Sequence, residues 1–217
     1  KLLQVSGMLL CILTTSCHRY YYKPNPVIAP MLDDQGDIHI TTTGSLGSSP
    51  PSDHSMFNLQ IAGSPLNNLG LIGGFSRYSY EVDGKPDPAS GDVNADANLG
   101  ELGIGTYTKL KEGSRGIKLI AEAYGGMGFA NIRSDVNMEL TRYFVQPGFT
   151  FRSHFFDASF IMRFSGLRYR NFNANGHDEQ YLRDQSLLYA KNVRIDNPFY
   201  VFAEPSFVIR GGYKFFK

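Results

Sequence analysis

GIKLIAEAYGGMGFA, residues 116–130, alternates with period two along its length. Ile117, Leu119, Ala121, Ala123, Gly125, Met127 and Phe129 share one side, which carries no polar side chain. Lys118, Glu122, Tyr124, Gly126 and Gly128 share the other, with Ile120 as the apolar exception. Successive side chains of a strand point to opposite faces, so this stretch predicts one strand with an apolar and a polar face.

The pattern recurs on both sides of it. In 138–152, Tyr143, Val145, Phe149 and Phe151 oppose Arg142, Gln146, Thr150 and Arg152. In 154–170, Phe156, Ala158, Phe160, Met162 and Phe164 oppose Asp157, Ser159, Arg163 and Ser165. Over 199–209, Phe199, Val201, Ala203, Phe207 and Ile209 oppose Glu204, Ser206 and, just beyond, Arg210. Eight strands are expected, at 36–43, 55–63, 68–80, 98–110, 116–130, 138–152, 154–170 and 198–215, the first three with less regular alternation. Composition agrees: 13 Tyr, 16 Phe and 23 Gly with only 19% charged residues suit strands. A net charge of +1 gives no reason to expect nucleic acid as a partner. No apolar run approaches the ~20 residues of a membrane helix, so any membrane role falls to the strands.

Period-two alternation does not say which face is inside. A soluble sandwich or lipocalin turns its apolar face inward, and a membrane barrel turns it outward. The lengths of the connections distinguish the two. Those at 64–67, 111–115 and around Ser153 read as short, and those at 44–54, 81–97, 131–137 and 171–197 as long. Short turns on the periplasmic side and long loops outside are the outer-membrane pattern. The expectation is therefore an all-β, up-and-down antiparallel β-barrel of about eight strands, membrane type, with both chain ends on the periplasmic side. Its polar face becomes an interior that side chains can fill. Glu101, Glu122, Arg142, Arg163, Glu204 and Arg210 are the candidates for a charge network there. Pro147 and Pro205 fall mid-strand, where neither can donate to a ladder.

Residues 1–17, KLLQVSGMLLCILTTSC, combine a basic start, an apolar centre and small residues before Cys17. This is the pattern of a secretory signal peptide, and Cys17 stands where a bacterial lipobox places the lipidated residue. Cleavage by the ordinary signal peptidase is the alternative. With Cys11 removed and Cys17 lipidated, no thiol is left for a disulfide or a metal site. Residues 18–35 carry Pro24, Pro26 and Pro30, which favour an extended strap between anchor and body, with a disordered linker as the alternative. The barrel domain is expected over 36–217. Together the lipobox, Tyr22-Lys23-Pro24-Asn25-Pro26, Ala29-Pro30-Met31-Leu32 and the Gly-rich body resemble small outer-membrane lipoprotein β-barrels of the Bacteroidota. The resemblance implies location and architecture and carries no catalytic residues. His18 and Arg19 directly after Cys17, where surface lipoproteins of that group often carry acids, suit an anchor in the inner leaflet.

The motifs that could carry chemistry are incomplete. Ser153 and His154 are neighbours, but adjacent strand residues face opposite ways and no orienting acid is evident. Asp92, Asn94 and Asp96 begin like a calcium loop, with Asp83 and Asp87 nearby, but Ala97 replaces the required Gly and Gly103 the closing Glu. Residues 180–192 have the spacing of a short amphipathic helix inside the longest loop. No cofactor or metal is expected. The expected role is a non-catalytic structural or interaction subunit, with the outer-membrane bilayer and a larger outer-membrane protein as partners. A small-ligand carrier, a narrow pore and a soluble lipocalin-like binding barrel are the alternatives.

Overall fold

The computed structural model describes residues 25–49, 52–82, 94–113, 116–134, 136–178, 180 and 199–212. Among the described residues eight strands follow in order: β1 (Ile38–Ser49), β2 (Ser52–Leu66), β3 (Leu69–Val82), β4 (Ala95–Glu112), β5 (Lys118–Arg133), β6 (Asn137–Arg152), β7 (Phe156–Asn173) and β8 (Phe199–Gly211). They form one sheet in chain order, every neighbouring pair antiparallel. The sheet is all-β, up-and-down and curled into a half-barrel. Each expected strand is present.

Two connections expected to be long are not. Gly44–Ser49 belongs to β1 and Ser52–His54 to β2, with the ladder continuing from Gly44↔Phe57 to Ser49↔Ser52. Likewise 131–133 belongs to β5 and Asn137 opens β6. Ladder hydrogen bonds come from the backbone, so Ser, Thr, Gly and Asn carried the strands on where the apolar pattern had stopped. Long connections remain at 83–94 and 174–198.

No backbone ladder joins β1 to β8 among the described residues, so both are edges. Pro205 on β8 therefore lies on an edge strand, where proline is tolerated. Pro147 lies inside the sheet. Its pairing with Ala123 of β5 is kept. On the other side the register passes from Val145↔Phe164 to Gly148↔Ile161 with no pair at 146 or 147, where the missing N–H would have bonded β7.

The burial is inverted relative to an ordinary soluble domain. Arg142 and Arg163 are both 0% exposed, while Leu102 and Val201 are each 72% exposed. Glu101, Glu122, Gln146, Thr150, Asp157 and Ser159 are also buried. Phe57, Phe75, Phe129, Phe149, Phe160 and Phe207 stand on the outside. The polar face of 116–130 is thus the concave one. β4 and β5 come so close that a Cβ on Gly126 would lie 2.2 Å from the Leu102 carbonyl oxygen.

Candidate functional site: an interior occupied by residues 25–33

From Asn25 to Asp33 the chain lies inside the curl of the sheet, buried except at the half-buried Pro26. It is extended, as its prolines require, and it fills the space that the strands enclose. Ile28 and Leu32 pack with Ala62, Ile72, Tyr107, Ile120, Tyr124 and Phe144. Val27, Ala29 and Met31 pack with Ile161. Met31 turns the chain with a φ of 51°, uncommon for a residue other than glycine.

The wall holds this segment mainly by its carbonyl groups. Arg163 Nη2 donates to the Asn25 carbonyl at 2.9 Å. Gln60 donates to Pro26 at 2.8 Å and Gln146 to Ile28 at 2.9 Å. Arg210 donates to Ala29 at 2.8 Å and Arg152 to Met31 at 3.2 Å. His39 Nδ1 lies 2.7 Å from the Pro30 carbonyl and must donate, since a carbonyl only accepts. Buried backbone groups need partners. Pro26 and Pro30 bring carbonyls without N–H groups, so a wall rich in donors satisfies them.

The charges form one principal network around Asn25. Glu101 is ion-paired with Arg142 and accepts from Asn25 Nδ2 at 2.8 Å. Arg142 Nη1 donates to Asn25 Oδ1 at 2.6 Å. Arg163 is ion-paired with Glu204, with its Nη1 3.8 Å from Glu101. Four of the six predicted residues are thus brought together. The other two are interior but differently employed. Glu122 accepts from Thr150 at 3.0 Å and from Ser159 at 3.5 Å. Arg210 reaches the Ala29 carbonyl and, at 3.2 Å, Thr41 Oγ1 on β1, bridging the two edge strands.

At the short-turn end the chain leaves the interior and turns into β1. Lys118 and Lys109 meet Asp33 at 2.6 and 3.2 Å, and Lys109 meets Asp34 at 2.7 Å. Asp37 caps the Asp33 and Asp34 N–H groups at 2.9 and 3.1 Å. Burial alone would raise the Asp33 carboxyl, but the two lysines outweigh it and hold its pKa below the ordinary value.

Asn25, His39, Gln60, Gln146 and Arg152 were not foreseen as site residues. The signal that marked the segment was its own apolar run, Val27-Ile28-Ala29 and Met31-Leu32, unusual for a solvated strap. Ser153 and His154 lie at the β6–β7 turn, where the Ser153 hydroxyl accepts the Phe155 and Phe156 N–H groups at 3.4 Å. No group of three or more His, Cys, Asp or Glu is placed to hold a metal among the described residues. Cys17, Asp83, Asp87, Asp92 and all of 180–192 except Gln180 lie outside the described residues. No family model matches the chain, and no curated protein or solved structure matches it significantly.

Proposed function

We propose that this chain is an outer-membrane β-barrel lipoprotein that works as a non-catalytic structural or interaction component. The observation that carries the reading is the inverted burial: a convex surface of Phe, Leu, Ile and Val around an interior of paired Arg and Glu. In water, an apolar patch of more than a few hundred Å² is rare on a monomer. Against lipid tails the same surface is the stable one. A lipocalin-like binding barrel needs the opposite orientation and an empty interior.

The occupied interior argues against the pore and carrier readings, because residues 25–33 take the space that a solute would need. The edges argue for a partner. Unpaired backbone groups of β1 and β8 are costly in hydrocarbon. In the bilayer the two edges must close on each other or accept strands of another protein. Purified protein in planar bilayers is expected to show no stable conductance, and a mild-detergent extract is expected to retain a larger outer-membrane protein. Steady single-channel currents from pure protein, with no partner retained, would replace this reading with the pore.

A further inference from the structure

No ladder joins β1 to β8 among the described residues, yet the side chains of these two edges meet. Arg210 of β8 donates to Thr41 Oγ1 of β1 at 3.2 Å. The same guanidinium donates to the Ala29 carbonyl at 2.8 Å, and His39 of β1 donates to the next carbonyl, Pro30, at 2.7 Å. Consecutive carbonyls of the buried segment are thus held one by each edge. Val208, the inward residue before Arg210, packs on the cluster of Val27, Ala29, Met31 and Ile161. At the short-turn end the two edges therefore face each other across Ala29-Pro30.

The contact defines a register. Following ladder partners strand by strand from Thr41 leads by way of Glu101 on β4 and Arg142 on β6 to Tyr200 on β8. Arg210, which bonds Thr41 from the other direction, stands ten residues further along β8. Closing a tilted sheet requires such an offset. With strands ~4.8 Å apart and a rise of ~3.3 Å per residue, ten residues over eight strands tilt them by about 41°, near the middle of the roughly 35–45° of closed barrels. An offset of eight would set His39 opposite Arg210. His39 Nδ1 does lie 3.5 Å from Arg210 Nη1, but it donates to Pro30 and has no lone pair left for arginine. With Thr41 opposite Arg210, Ile40, Thr42 and Gly44 fall opposite Gly211, Ile209 and Phe207, all exposed on the convex side. A slip of one residue would set these outward residues against inward ones.

We propose that β1 and β8 pair with each other in this register, and that Ala29-Pro30 is the clasp that holds the seam from inside. The partner of each edge is then the other edge of the same chain, and neither is left for strand addition by another protein. A larger protein that retains this one docks on the convex wall or on the long loops. The pairing rests on interior contacts and not on the bilayer, so it deepens the reading above without standing or falling with it.

The test uses purified full-length protein in mild detergent, with Cys11 and Cys17 replaced by serine. Thr42→Cys is combined with Ile209→Cys, Phe207→Cys or Gly211→Cys and oxidised with copper phenanthroline. Disulfides need Cα atoms within about 7 Å, and a two-residue slip moves a strand by about 6.6 Å, so the yield reads the register. Thr42→Cys with Leu59→Cys, opposite each other on β1 and β2, is the control for folding and reactivity. An intramolecular bond strongest at 42–209 is expected. Adding Arg210→Met is expected to lower the 42–209 yield and to leave 42–59 unchanged; an unchanged 42–209 yield overturns the clasp. A maximum at 207 or 211 overturns the register. Disulfide-linked dimers give the edges to a second copy and overturn the seam. A 42–59 bond with no bond at 207, 209 or 211 overturns it too, and leaves the edges to another protein's strands. A 42–209 bond in a chain that fails to enter bilayers keeps the seam and removes the membrane reading alone.

Discussion

Replacing Arg163 by Met removes one cation from the centre of the buried network. Arg163 is ion-paired with Glu204, donates to the Asn25 carbonyl and approaches Glu101 at 3.8 Å. Breaking a buried pair by deleting one partner costs ~3–5 kcal/mol. Two features place this site at the lower end. Glu101 keeps Arg142 and Asn25. The Glu204 side chain is 10% exposed and retains Ser165 at 3.4 Å. Methionine also fills much of the space that arginine vacates, which limits the cavity contribution. At about 3 kcal/mol, a chain of this size loses roughly 6–12 °C. The assay is the temperature of the heat-induced gel shift at a fixed heating rate, because such unfolding is commonly irreversible. Phe160→Leu on the convex face is the control and is expected to move it little. Adding Glu204→Gln to Arg163→Met should recover part of the loss, since the orphaned charge is then gone. If Arg163→Met shifts the transition by less than about 2 °C, the side chain is solvated, and the assignment of the polar face to the interior is wrong.

Gly126→Ala is expected to destabilise by about 1–3 kcal/mol, because its Cβ meets the Leu102 carbonyl oxygen. Gly100→Ala, with nothing within 4 Å of the added Cβ, is expected to be near neutral in the same melt, and equal effects would discount the β4–β5 approach. The Asp33 carboxyl has a lowered pKa, so its stabilisation is complete above its ordinary value of 3.8 and is lost as pH falls through the lower folded value. Acid should therefore speed proteolysis within residues 25–37 in that window, and Asp33→Asn should remove this pH dependence; an unchanged profile in the variant would assign it elsewhere. Metabolic labelling with a fatty-acid probe should tag the protein and fail with Cys17→Ala, whereas equal tagging of both would remove the anchor.

The strands were legible because their information is local. Alternation placed Phe129 and Glu122 on opposite faces of β5 before any contact was known, and the structure keeps them there. Strand ends were less legible. Gly44–Ser49 lacks apolar punctuation, yet a partner strand extends it through backbone bonds that are the same for every sequence. Loop lengths inferred from those ends were correspondingly unreliable.

Local sequence by itself determined the number of strands, their order of faces and the extended form of the Pro-rich segment, since each follows from neighbours along the chain. Which face is concave, and what lies inside it, only the tertiary structure decided. Arg142 and Asn25 are 117 residues apart in sequence and bond at 2.6 Å. No periodicity encodes that meeting. It arises because eight strands curl around a buried polar wall, and a proline-rich segment brings carbonyls that the wall's donors can satisfy.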